Sequence, residues 1–260
     1  MERKTALVVN DDGIRSPGLD LMVELASEFW DVFVVAPEEE RSGTGKAITM
    51  GPISVKECKV EGTVQAYAIC GTPADAVLLS IDYLLPQAPD VVLSGVNLGP
   101  NLGIEDYLDS GTIGGAMEAS IHGIPSVAAS LAMSKEDKLA KRYEMGHTRV
   151  VLHYLLEILS SSPDLFVKGD IVSLNVPHPD CKGIVATRVS RREMRNVHMK
   201  VDGGYAIKPW TMSFYGEGEL GSDVNAVVVQ RKASVSVVNL RLESQLETAS
   251  RIAHKVAASW

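Results

Sequence analysis

At 260 residues the chain is long enough for one large α/β domain with an appendage, and its 45% hydrophobic and 22% charged residues are ordinary for a globular protein. A formal net charge of −8 argues against a nucleic-acid polymer as the main partner, while leaving a small anionic substrate open. No apolar run approaches membrane-spanning length, Met1 to Lys4 lack the apolar segment of a signal peptide, and Cys58, Cys70 and Cys181 show no disulfide spacing, so a cytoplasmic protein with reduced thiols is expected.

Thr5 to Val9 is a β-branched and aliphatic run that predicts a buried strand. It ends in Asn10-Asp11-Asp12-Gly13, and a helix follows almost at once, with Ser16 as N-cap and Pro17 at the first helical position. Two acidic groups therefore sit at the carboxyl end of the first strand, where open α/β sheets bind ligands. Adjacent carboxylates repel unless a cation lies between them, and a hard divalent ion with oxygen ligands is the simplest one. An ordinary acidic turn is the competing reading.

Leu19, Met22, Val23, Ala26 and Phe29 recur at helical spacing, and Val32 to Ala36 is the second strand. The polar loop from Glu38 to Lys46 ends in GTGK, without the spacing of a P-loop. Ile53 to Val55 and Val64 to Ile69 read as two more strands. Gly71-Thr72-Pro73-Ala74-Asp75 then opens a helix with Thr72 and Asp75 in a capping box. Asp90 to Leu93 predicts a strand running into a Gly/Asn loop over 94–103, which reads as a connector or, as its length favours, a functional loop. Ser110-Gly111-Thr112 opens the next helix, whose small residues, Gly114 and Gly115 among them, allow either a phosphate or a packed sheet to come close.

Pro125 to Ser130 predicts a strand, Ser134 to about Leu159 a helix broken near Gly146, and Ile171 to Val176 a further strand. This alternation argues for a mainly parallel, doubly wound sheet. Residues 191–222 are polar, Gly-rich and dotted with Trp210, Phe214 and Tyr215, as for a protruding arm that packs on a partner subunit. Ala226 to Val229 and Val235 to Leu240 read as late strands, and Leu246, Ala249, Ile252, Ala253 and Val256 mark a final helix. The whole is read as a single domain over 1–260: a core over 1–190, the arm over 191–222, and closing strands and helix over 223–260. Six histidines lack metal-site spacing, and neither serine nor cysteine has the setting of a nucleophile.

Taken in order, Asn10-Asp11-Asp12-Gly13, Arg41-Ser42-Gly43, Gly71 to Asp75, and Ser94 to Gly103 with Ser110-Gly111-Thr112 resemble the SurE survival-protein nucleotidases over residues 5–180. Each motif alone is weak; the ordered set is specific. The resemblance implies a three-layer, Rossmann-like fold and a homodimer or homotetramer. It also implies one divalent cation per subunit, magnesium or manganese, held by Asp11, Asp12, Ser42 and Asn97. Asp11 and Asp12 would be catalytic, and Asn10, Gly43, Lys46, Asn101, Ser110, Gly111 and Thr112 would meet the substrate. The implied activity is hydrolysis of nucleoside 5′-monophosphates, with 3′-monophosphates as further candidates; a non-catalytic metal- or nucleotide-binding module is the alternative. Two departures touch the substrate side: the segment Glu105 to Asp109 is about one residue longer than the family's, and Lys46 stands where the family has asparagine. Lys46 is read either as a solvated loop cation or as an ammonium beside the substrate phosphate.

Overall fold

A computed structural model describes residues 3–165, 169–191, 193, 197–208, 211–240, 250 and 253. The buried strand β1 (Thr5–Val9) sends alternate side chains to opposite faces. Ala6 and Val8 pack with Leu19 and Met22 of α1 (Pro17–Ala26). Leu7 and Val9 pack on the other face with Ala76 and Val77 of α2 (Pro73–Leu79). Both helix starts follow from the sequence: Ser16 accepts from Gly18 N at 3.2 Å, and Thr72 and Asp75 form the capping box.

The remaining strands are β2 (Asp31–Pro37), β3 (Val55–Cys58), β4 (Gln65–Ile69), β5 (Val91–Leu98), β6 (Ser126–Ala132), β7 (Asp170–Pro177), β8 (Ile184–Ala186), β9 (His198–Val201), β10 (Gly204–Ile207) and β11 (Ala233–Asn239). Nine of the strands form one sheet in the order β3-β4-β2-β1-β5-β6-β7-β11-β8, parallel from β4 to β7. The outer strand β3 runs antiparallel to β4, β11 runs antiparallel to β7, and the other edge strand, β8, pairs parallel with β11. From β1 the chain winds outward through β2 and β4 on one side, then returns to β5 and winds through β6 and β7 on the other. The winding reverses between β1 and β5, which opens a crevice at their carboxyl ends. Further helices α3 (Gly103–Asp109), α4 (Gly111–Ile121), α5 (Lys135–Leu139) and α6 (Gly146–Ser161) complete the layers, with α6 beside α1 and α4 beside α2. The expected doubly wound, three-layer fold is therefore present. No described helix is long and apolar enough to cross a membrane.

Several local expectations change. Ser94 to Leu98 belongs to β5, with a register shift between Ser94 and Asn97, so the Gly/Asn loop is shorter than expected and leads into α3. Ala226 to Val229 is not a strand but part of a π-helical turn, Asn225–Val229. Its reason is local: Ser222 accepts from Asn225 N through Oγ and from Ala226 N through its carbonyl, starting a helical path that a four-residue apolar run cannot reveal. Within 191–222, β9 and β10 form a ribbon of their own, whereas Tyr215 is buried against Leu102 and Val224 of the same chain. Trp210 lies outside the described residues, as does the expected closing helix apart from Ser250 and Ala253.

Tyr215 also ties the C-terminal segment to the Gly/Asn loop. Its hydroxyl donates to Asp106 Oδ2 at 2.6 Å, the same oxygen that accepts from Leu102 N at 3.1 Å. Burial pushes the Asp106 carboxyl up to about 6, and the charges of Asp109 and Asp223 add to the rise. The folded state then holds this proton more tightly than the unfolded chain, so its contribution to stability falls as pH climbs from about 4 to about 6 and stays lost above. Asp106→Asn keeps an oxygen for both donors and removes the buried charge. It is expected to raise Tm at pH 8 and leave it unchanged near pH 4, measured by calorimetry; a shift of the same size at both pH values would refute this account.

Candidate active site

The loop after β1 is built by its own residues. Asn10 spends both ends of its amide on Gly13, donating to its carbonyl at 3.0 Å and accepting from its N–H at 3.2 Å. Gly13 needs φ +97, which explains the glycine. This turn places Asp11 and Asp12 at the crevice. Asp11 is buried, accepts the Thr112 hydroxyl from the start of α4, and its carbonyl accepts Arg41 N at 2.7 Å from the loop after β2. Asp12 Oδ2 accepts Leu98 N at 2.8 Å from the end of β5. The ends of β1, β2 and β5 and the N-terminus of α4 thus meet around two carboxylates.

The start of α4 comes unusually close. A Cβ on Gly111 would lie 2.8 Å from Asp11 Cβ and 3.0 Å from its Oδ2, so only glycine fits there. Ser110 caps the helix, accepting from Ile113 N at 3.2 Å. The amides of Gly111 and Thr112, first in the helix, have no intrahelical partner and suit an anion. Ser42 is exposed and donates to Glu40 Oε1 at 2.7 Å. Gly43 beside it is exposed with φ +71. Asn97 donates through Nδ2 to Gly99 O at 2.9 Å, which leaves its Oδ1 for a ligand. Asn101 points its amide elsewhere, donating to Ser130 Oγ at 2.9 Å, and its backbone is clamped by Asn175.

Two further residues enter that sequence reasoning missed. Lys138 of α5 puts Nζ 2.6 Å from Asp12 Oδ1 and 2.9 Å from Glu40 Oε1. Nothing local signals this contact, because Lys138 is 126 residues from Asp12. Glu40 stood in an acidic run that reads as a solvated loop.

The donor chemistry fits a hard divalent cation. Among the described residues no group of three His, Cys, Asp or Glu side chains is placed to hold a metal ion, so a cation here would rest on two carboxylates and neutral oxygens, completed by water, as magnesium and manganese accept. Burial, and next the charge of Asp12, push the Asp11 carboxyl up to about 7. A carboxylate in that position is stabilised in its ionised form by a nearby cation.

Lys46 makes an ion pair that the sequence did not reveal. Its Nζ lies 2.5 Å from Glu118 Oε2, a buried carboxylate on α4 whose other oxygen is 3.3 Å from His122 Nε2. The lysine therefore fastens the loop after β2 to α4. Lys46→Met is expected to cost about 1–3 kcal/mol by leaving Glu118 buried with less compensation. Adding Glu118→Gln should recover much of the loss, so a double-mutant cycle in urea unfolding reads the pair directly. Additive effects would show the contact to be incidental.

The fold and the crevice define a doubly wound α/β protein with two carboxylates, Asp11 and Asp12, at its switch point. Residues 6–196 match the family model described as Survival protein SurE. The chain is 36% identical over 250 residues to 5′-nucleotidase SurE of Archaeoglobus fulgidus, covering 91% of each chain. It is 40% identical over 186 residues to 5′-nucleotidase SurE of Desulforudis audaxviator, covering 70% of each. The crystal structure of the SurE protein from Aquifex aeolicus is similar at TM-score 0.71 and 32% identity, covering 96% of this chain and 98% of that one. The chain belongs to the SurE family.

Proposed function

We propose that this protein is a 5′-nucleotidase: a divalent-metal-dependent phosphomonoesterase that hydrolyses nucleoside 5′-monophosphates, with 3′-monophosphates as further candidates. The observation that carries the reading is the approach of the α4 N-terminus to Asp11, with Thr112 bonded to Asp11 and Gly111 too close for any side chain. An anion-receptive helix end and a cation-receptive carboxylate pair side by side suit a phosphate monoester. The names of the relatives support the nucleoside part.

Asp11, Asp12, Ser42 and Asn97 would hold one magnesium or manganese ion. Such an ion, when bound, supplies charge neutralisation for the phosphoryl oxygens and acidifies water. The protein's own groups do the rest. The amides of Gly111 and Thr112 receive the phosphate, with Ser110 fixing the helix end that presents them. Thr112 Oγ1 holds Asp11 in place, and the carboxylates orient the attacking water. Asn10 and Asn101 act through the loops they shape rather than on the substrate.

Phosphate release from AMP or GMP tests this. Turnover should stop with EDTA and return with manganese or magnesium; binding of AMP without any release would make the chain a non-catalytic module. The β9–β10 ribbon exposes Tyr205 and Ile207, which suits a contact between subunits of a homodimer or homotetramer. Tyr205→Glu with Ile207→Glu is expected to reduce the molar mass in light scattering, and an unchanged mass would exclude this ribbon from the interface.

A further inference from the structure

The geometry points to Lys138 as a built-in cation that competes with the divalent metal for Asp12. The inference rests on the reading of Asp11 and Asp12 as metal ligands, and goes beyond it by assigning a role to a residue outside the ligand set. Lys138 lies on α5, whose start is capped by Ser134, accepting from Asp137 N at 3.1 Å. Its side chain is 18% exposed and bridges Asp12 Oδ1, on a 5% exposed side chain, to Glu40 Oε1. That same Glu40 oxygen accepts the Ser42 hydroxyl.

One of the four proposed ligands is thereby engaged at both oxygens: Asp12 gives Oδ2 to Leu98 N and Oδ1 to the ammonium, while Ser42, which gives its proton to Glu40, keeps its oxygen lone pairs. An ammonium and a divalent ion touching one carboxylate oxygen repel each other in a partly buried site where water screens weakly. Metal entry must therefore displace Lys138 from Asp12. The rest of the segment permits this: α5 is a short helix with no buried residue, and lysine has a flexible stem. Lys138 is the positive charge that Asp12 and Glu40 share. The ammonium and the metal thus stabilise one carboxylate in turn, and each weakens the hold of the other.

The test uses the full chain, stripped with EDTA and dialysed, with Mn²⁺ alone as probe. Free Mn²⁺ is read by electron paramagnetic resonance for the unmodified protein, Lys138→Gln and Asp12→Asn. Lys138→Gln is expected to bind Mn²⁺ about tenfold tighter, since a partly buried competing ion pair and a like charge are both removed. It should also melt lower than the unmodified protein in EDTA and gain more in Tm on adding Mn²⁺. Mn²⁺ affinity that is unchanged or weaker in Lys138→Gln overturns the proposal. Should that variant not fold, Lys138→Met keeps the stem and is read by the same criteria. Asp12→Asn serves the underlying reading separately: if it binds Mn²⁺ as well as the unmodified protein does, the ligand set is wrong whatever Lys138 does.

Discussion

Asp12→Asn is expected to lower turnover on AMP by about 10²–10³-fold and to weaken Mn²⁺ binding, while the protein stays folded. The side chain sits at the meeting point of the crevice, linked to the end of β5 through Leu98 N and to α5 through Lys138. An amide can still accept from Leu98, so the fold keeps that tie. It cannot supply the negative charge that a hard cation needs, and its NH₂ group would face the Lys138 ammonium as donor against donor. Ser42→Ala and Asn97→Ala remove neutral donors and should cost about tenfold each. Circular dichroism checks folding, and steady-state phosphate release at saturating Mn²⁺ separates lost affinity from lost turnover. Near-normal, metal-dependent activity in Asp12→Asn would place the chemistry elsewhere.

How much of this was legible depends on how local each cause is. Thr5 to Val9 could be read as a buried strand because both of its faces are covered, Ala6 and Val8 by α1 and Leu7 and Val9 by α2. The caps at Ser16 and Thr72 could be read because a cap and its partner lie within a few residues. Asp11 and Asp12 stood out as adjacent charges, whereas Ser42 and Asn97 came only with the family resemblance. Distance in sequence hid the rest. Lys138 reaches Asp12 from another helix, and Lys46 reaches Glu118, 72 residues further along the chain on α4. Ala226 to Val229 misled because a short apolar run fits a strand and a helical turn equally well, and the deciding cap, Ser222, sits before it. Tyr215 was assigned to an arm by composition, while its hydroxyl binds Asp106 in the core.

Gly114→Ala is expected to cost about 2–4 kcal/mol, which in a domain of this size lowers Tm by roughly 5–12 °C. The glycine lets two backbones touch. A Cβ at this position would lie 2.1 Å from the Gly45 carbonyl oxygen, 2.6 Å from its carbon and 3.0 Å from Lys46 N. All three are main-chain atoms, so no side chain can swing aside. Helix α4 cannot retreat, because its next residue, Gly115, is already seated on the sheet: a Cβ there would be 3.0 Å from Val9 Cγ2. Gly45 resists as well, with φ +52 and its N–H donating to Asp109 O at 2.7 Å. The strain must go into the loop after β2, which carries Ser42 and, through Lys46, the tie to Glu118. A shift of about 1 Å in a positioning segment can cost about 10²-fold in rate, so turnover should fall along with stability. Gly146→Ala is the control: it opens α6, has no atom within 4 Å of its Cβ position, and should change stability by no more than about a few tenths of a kcal/mol in either direction. Calorimetry and phosphate release on both variants decide the matter, and a Gly114→Ala protein that melts and turns over like the unmodified one would show that the loop and α4 are not locked together.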